Sequence, residues 1–290
     1  MRTTAVAIRP WRRDPTTGVT EEAGFDDSRF AVLHLPTRPH RAVVLCSPLH
    51  AEMQRNYRRE VLLSRRLAAE GSAVERFHYR GTGNSAGGPD RLALETMIED
   101  GIAAVRHLQG RVGEVPVAVL GTRVGGLVAA AVAAEVEAAG LALWQPLVKG
   151  SAYMREAERA AMARAITNTS GERPPPLREV LVTEGSADVL GERVYAALAA
   201  SLEEAQLAKL IGEQPRPVLL AQAGGPDGLR GELARLADEL ATVGFAVTAR
   251  PTGDAEVWWA NPGGDLFREE DDKPLTVELL RVTADWVETL

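Results

Sequence analysis

A glycine-punctuated turn between a predicted strand and a predicted helix is the most distinctive chemical feature of the sequence. It reads GTRVG at residues 121–125, after an apolar run and before a run of small residues. Glycines here let the helix pack close to the strand and aim its first amides at an anion. In the G-x-S-x-G form of this turn the central residue is a nucleophilic serine. Arg123 occupies that position, and its protonated guanidinium has no lone pair with which to attack an acyl group.

The general base that such a nucleophile needs is also missing from its usual place. In hydrolases of this kind the base is a histidine in the loop after the last strand. That loop, TGDAEVWWANPGGD at residues 252–265, offers only Asp254 and Glu256 before Asp265. The histidines all lie earlier in the chain, at His34, His40, His50, His78 and His107. The sequence therefore argues against acyl-enzyme hydrolysis by a Ser-His-Asp triad.

Two interpretations of Arg123 are open. A guanidinium beside the helix-start amides of Val124 and Gly125 would bind a carboxylate or a phosphate, for storage or for catalysis. Alternatively, Arg123 is a structural plug paired with Glu52, which follows the third predicted strand. Such a pair would explain how a charge survives there, because a lone buried charge costs several kcal/mol. Glu52 and Glu256 are also the preferred candidates for a catalytic base.

Aromatic and imidazole side chains are predicted to complete a ligand pocket. Trp258 and Trp259 follow Glu256, and an apolar wall beside this acid would raise its pKa. His50, in the loop before the first long helix, and His78, at a strand end, are the remaining acid–base candidates. The plainer alternatives are solvent exposure for Glu256 and a hydrogen-bonding role within its own turn for His78.

Charge and composition exclude several partners and sites. Lys and Arg total 33 against 40 for Asp and Glu, a formal net charge of −7, so no basic field attracts nucleic acid. The longest apolar run, residues 127–144, is interrupted by glutamates, which predicts a cytosolic chain that does not span a membrane. The single cysteine, Cys46, excludes an internal disulfide and a multi-cysteine metal site, and neither a metal nor a cofactor is expected.

Alternating apolar and helical segments predict the scaffold that positions these residues. The pattern is typical of an α/β fold with a mostly parallel sheet and helices on both faces. Residues 149–215 interrupt it and predict a helical insertion. The predicted strands cover residues 4–8, 30–35, 41–47, 72–79, 116–122, 140–146, 217–223 and 245–251. The predicted helices cover residues 57–70, 93–108, 124–138, 152–167, 229–243 and 276–288.

Taken together, these segments resemble the α/β-hydrolases of the serine-aminopeptidase-like group over nearly the whole chain. Residues 45–71 resemble the oxyanion loop and its following helix, and FHYRGTGNSAGG at residues 77–88 is similar to the group's Asp-Tyr-Arg-Gly turn, with His78 in place of the aspartate. A narrower resemblance is to exosortase-A-associated hydrolases, one family of which carries arginine at the elbow. Glu52-Met53, LWQPLVKG around Gln145 and AEVWW at residues 255–259 support it.

The resemblance implies an organisation and a pocket. Residues 1–148 and 216–290 would form the hydrolase core, with residues 149–215 as a cap. Leu49 in the oxyanion loop, Val124 and Gln145 would then join the ligand-binding residues around Arg123.

Three functions stay open. The first is a degenerate hydrolase-fold protein that binds a small anionic or acyl ligand at Arg123. The second is an enzyme that works without a covalent intermediate, such as a lyase, cyclase or dehydratase, in which Arg123 acts with Glu52, Glu256 or His50. The third is a protein-interaction scaffold. The insertion could line a ligand tunnel or form a homodimer contact.

Overall fold

Nine strands form one sheet in the computed structural model, which describes residues 7–167, 175–189, 191–223, 228–253 and 277–290. The strand order is β1-β2-β3-β5-β4-β6-β7-β10-β11. These strands are β1 (Arg9–Arg13), β2 (Thr20–Asp26), β3 (Arg29–Leu35), β4 (Arg41–Cys46), β5 (Ser72–Phe77), β6 (Val117–Thr122), β7 (Gly140–Trp144), β10 (Pro217–Ala223) and β11 (Ala246–Thr252). The six strands from β5 to β11 in that order pair in parallel, and β1, β2, β3 and β5 pair antiparallel.

Helices cover both faces of this sheet, as the sequence predicts. They are α1 (His50–Ala69), α2 (Leu94–Val112), α3 (Val124–Glu135), α8 (Gly231–Thr242) and α9 (Val277–Val287). One apolar cluster joins the sheet to α2, α3 and α8, and a second joins it to α1 and α9. Nine of the twelve residues of α3 are buried, namely Val124 to Ala130 together with Val132 and Ala133, so this helix is enclosed over most of its surface. None of the described helices has the length and apolarity that a membrane crossing requires.

The insertion between β7 and β10 is not wholly helical, which corrects the sequence prediction. It contains α4 (Ser151–Thr167), α5 (Leu177–Glu184), β8 (Ser186–Val189), β9 (Glu192–Tyr195), α6 (Ala196–Glu203) and α7 (Leu207–Leu210). The strands β8 and β9 pair antiparallel with each other. Gly185 ends α5 in the left-handed conformation, and β8 then buries alternate residues, Ala187 and Val189. This period of two, only four residues long, is too short to identify in the sequence.

The start of the sheet also differs from the prediction. The predicted strand at residues 4–8 lies mostly outside the described residues, while β1 and β2 were not predicted. Every residue of β1 is exposed, so it lacks an apolar alternation. In β2, Glu21 and Glu22 are buried, and they pair with Arg65 and Arg111 from two different helices. Buried charges with distant partners cannot be recognised from local sequence.

Candidate functional site

Arg123 occupies a strained turn at the end of a central strand. β6 ends at Thr122, α3 begins at Val124, and Arg123 between them has φ 55° and ψ −121°. Its amide donates to the Trp144 carbonyl at 3.0 Å, and its own carbonyl accepts from the Gly126 amide at 2.9 Å. Such a conformation costs a non-glycine residue about 1–3 kcal/mol and persists only where the surroundings impose it.

Glycines on either side allow this turn to form. A β-carbon at Gly125 would lie 2.2 Å from the Cys46 carbonyl oxygen, and one at Gly121 would lie 2.3 Å from the Gly125 oxygen. The helix therefore approaches the sheet more closely than any side chain would permit. This close approach is the steric reason for the glycines at positions 121 and 125.

Strain concentrates at the same edge of the sheet. Among the described residues, five non-glycine residues have positive φ, and His50, Arg123 and Gln145 are three of them. They follow β4, β6 and β7, which are adjacent and parallel, so all three lie at the carboxyl edge. Ligands of open α/β sheets bind at this edge, and residual strain is typical of functional sites.

The predicted ion pair between Arg123 and Glu52 is confirmed. Arg123 Nε donates to Glu52 Oε1 at 3.2 Å, although the two residues are 71 positions apart. Arg123 Nη2 also donates to Glu156 Oε2, from α4 of the insertion. The Arg123 and Glu52 side chains are 4% and 16% exposed, while that of Glu156 is 39% exposed. One buried guanidinium is thus held between a fixed carboxylate and a more accessible one.

Burial raises the pKa of Glu52, and the Arg123 guanidinium opposes that rise. Glu156 adds a further unfavourable charge that also raises the Glu52 pKa. The second oxygen of Glu52, Oε2, is buried and has no hydrogen-bond partner among the described residues. Glu52 is therefore a carboxyl group whose environment favours uptake of a proton.

His50 and Tyr153 form a second pair beside Glu52. His50 Nδ1 and Tyr153 Oη are 2.6 Å apart, and the rings stack with centroids 6.1 Å apart. Burial lowers the pKa of His50. Burial, followed by the charge of Glu52, raises the pKa of Tyr153. Both groups are therefore favoured in their neutral forms, and the short contact is a hydrogen bond between neutral partners.

Two backbone amides complete the arrangement. Leu49 is the N-cap residue of α1 and Val124 is the first residue of α3, and both are fully buried. Cys46 of β4 and Gly121 of β6 are paired at the ends of these adjacent strands, and Leu49 and Val124 each come three residues later. Within the part of the chain that the structure describes, neither amide donates to a protein acceptor. In enzymes with a serine at this turn, the corresponding amides are the oxyanion-hole donors.

The other predicted ligand residues have local roles or lie outside the described residues. The Gln145 side chain accepts from the Ala223 amide at 3.2 Å. His78 Nδ1 accepts from the Asn84 amide at 3.0 Å, and burial lowers the pKa of His78. Glu256, Trp258 and Trp259 are outside the described residues. No group of three or more metal-ligating side chains occurs in the described ranges.

Tyr153 and Glu156 were not predicted from the sequence to belong to the site. They lie three residues apart on α4, a spacing that places them on one helical face. That spacing was the only signal for them, and it does not say that this face meets Arg123.

Comparisons with known proteins agree with this architecture. A model of the serine aminopeptidase S33 family matches residues 34–188. Est1E from Butyrivibrio proteoclasticus, solved with ferulic acid, aligns with a TM-score of 0.57 at 16% identity over 94% of each chain. The Pyrococcus furiosus esterase PF2001 gives a TM-score of 0.60 at 15% identity, over 99% of this chain and 90% of its own.

A mouse protein, α/β-hydrolase domain-containing protein 10, aligns with a TM-score of 0.54 at 11% identity, over 98% of this chain and 99% of its own. No curated protein gave a significant match. At these identities the solved structures establish the fold alone. Because the family model covers more than half of the sequence, the chain belongs to the S33 serine aminopeptidase family and has the α/β-hydrolase fold.

Proposed function

We propose that this protein binds a small anionic ligand, a carboxylate or an acyl group with an anionic head, at Arg123 without forming an acyl-enzyme. The observation that carries the proposal is the Glu156 carboxylate, which already contacts the guanidinium from the insertion. A carboxylate carried by a ligand would make the same charge-assisted hydrogen bond. Without a ligand, the Glu156 carboxylate therefore occupies the position that the ligand carboxylate would take.

Exposure decides which of the two carboxylates yields to a ligand. Glu156 is 39% exposed, so water solvates its carboxylate when it leaves the guanidinium, and its departure costs less than that of a buried carboxylate. Glu52 is 16% exposed, and its removal from Arg123 would leave two desolvated charges. A ligand oxygen near the Leu49 and Val124 amides would add to the binding.

Substitution of Glu156 tests this exchange. We expect Glu156→Gln to tighten binding of sodium acetate, butyrate or octanoate, measured by calorimetry, by several-fold, because the competing charge is gone. We expect Arg123→Ala to abolish carboxylate binding. Glu179→Gln, which makes the same charge change at an exposed position of α5, is the matched control and should leave affinity unchanged. Equal affinities in wild type, Glu156→Gln and Arg123→Ala would contradict the proposal.

A second candidate function is acid–base catalysis without a covalent intermediate. The 2.6 Å contact between His50 and Tyr153, beside a Glu52 whose pKa is raised, favours it. Neutral His50 and Tyr153 would pass a proton to a substrate whose charge lies at Arg123. Tyr153→Phe separates binding from catalysis. The variant should keep its affinity for carboxylates under either function. Turnover of a substrate should fall only if the His50–Tyr153 pair is catalytic. Absence of binding by every probe would instead favour the interaction scaffold.

Serine-directed reagents should not label the protein. Arg123 stands at the elbow, burial raises the pKa of Cys46, and the Ser47 hydroxyl donates to Glu60 at 2.8 Å within the core. We expect no fluorophosphonate adduct by intact-mass spectrometry. Arg123→Ser should not hydrolyse p-nitrophenyl acetate above background, because the late histidine is absent. Labelling of wild type, or turnover by the single variant, would show that a competent base exists.

A further inference from the structure

A second buried cation, Arg76, lines a small cavity that also includes residues of α1. The cavity has a volume of about 10 Å³, which is room for about one water-sized particle. Tyr57, which is 42% exposed, is one of its lining residues. The lining residues that matter here are Ser47, Tyr57, Glu60, Arg76 and His78.

Arg76, on β5, is the unusual member of this lining. It is 6% exposed, and its Nε is buried without a hydrogen-bond partner among the described residues. Its guanidinium carbon lies 4.9 Å from the centre of the Tyr57 ring, a cation–π contact that supplies no hydrogen-bond acceptor. A buried guanidinium normally pairs with an acceptor, because desolvation of an unpaired charge is costly.

Glu60, on α1, does not supply that acceptor. Its two carboxylate oxygens accept from Ser47 Oγ and Asn56 Nδ2, each at 2.8 Å, and within the described residues Arg76 forms no ion pair with a carboxylate. Burial raises the pKa of Glu60 to about 7, and the positive charge of Arg76 opposes this.

The groups that face Glu60 come from each neighbouring element. They are Asn56 on α1, Cys46 and Ser47 at the end of β4, and Arg76 and Tyr79 at the end of β5. Burial raises the pKa values of Cys46 and Tyr79, and burial, together with the charge of Arg76, lowers the pKa of His78, which lines the same cavity. All three groups are therefore neutral near pH 7. Arg76 is therefore the one charge among them, and it has no counter-ion once Glu60 takes a proton.

We propose that the Arg76 cavity is a binding site for a small monovalent anion of the size of chloride. The guanidinium Nε–H donates to the ion, and the small volume excludes phosphate and carboxylates. Since Glu60 lines the same cavity, its negative charge repels the ion, and the protonated form binds it better. Anion affinity consequently decreases as pH rises through the Glu60 pKa.

Chloride and bromide are suitable probes at constant ionic strength, with sodium gluconate as the replacement salt. We expect the wild-type Tm to rise with chloride concentration, and we expect Arg76→Met to abolish that rise. Arg106→Met, which removes an exposed arginine on α2, is the matched control and should preserve it. A bromide soak of wild-type crystals should give an anomalous peak beside Arg76 Nε.

Glu60→Gln supplies a second test that does not depend on Arg76→Met folding. With a Glu60 pKa of about 7, about one wild-type molecule in eleven carries the proton near pH 8. The variant is always neutral there, so its apparent Kd for chloride should be about tenfold lower than that of wild type near pH 8. Near pH 5.5 the two should be equal. A water instead of bromide in the cavity, or a chloride effect that persists in Arg76→Met, would overturn the site.

Discussion

Arg123→Ala is expected to lower the free energy of unfolding by about 3–5 kcal/mol. The substitution leaves Glu52 buried without its cation, and the raised Glu52 pKa shows that burial already disfavours the charge. Glu156, at 39% exposure, turns to solvent and contributes within about 1 kcal/mol. Urea unfolding of wild type and variant, monitored by tryptophan fluorescence, measures the difference.

A double-mutant cycle identifies the cause of that loss. Glu52→Ala alone leaves Arg123 with the accessible Glu156, whereas the double variant has neither buried charge. We expect the double variant to be more stable than the less stable single variant, with a coupling of at least about 1 kcal/mol between the two positions. Additive losses would mean that Arg123 and Glu52 do not depend on each other.

Gly125→Ala should be the second damaging change, at a cost of about 3 kcal/mol. The added methyl group would lie 2.2 Å from the Cys46 carbonyl oxygen and 2.5 Å from that of Ser47. Both atoms belong to the backbone, so the end of β4 or the start of α3 must move. Because this movement also displaces Leu49 and Arg123, carboxylate binding should weaken together with stability.

Gly110→Ala is the control for the loss of a glycine. Gly110 lies near the end of α2, and no atom lies within 4 Å of its hypothetical β-carbon. Alanine favours a helix over glycine, so this variant should be more stable by about 0.5–1 kcal/mol. Thermal melts of both variants would refute the steric explanation if Gly125→Ala were equally stabilising.

The sequence by itself determined the scaffold and the position of the elbow. Apolar runs with short connections predict β4 to β7, and the observed strand β10 has the predicted bounds, Pro217–Ala223. The glycines around Arg123 predict its turn, because only glycine allows the backbone approach at Gly121 and Gly125. The pair of Arg123 with Glu52 was also predictable, since both follow adjacent strands of a parallel sheet.

Only the tertiary structure decided which side chains complete the two charged sites. Glu156 and Tyr153 come from the insertion, and their helix could have faced solvent with the same local pattern. In the sequence, Arg76 is one residue of a predicted buried strand. That its Nε lacks a hydrogen-bond acceptor is evident only once α1 packs over β5. Periodicity records which face of an element is apolar, whereas ion pairs and cavities depend on distances between elements far apart in sequence. Those distances are set by packing, and no local pattern encodes them.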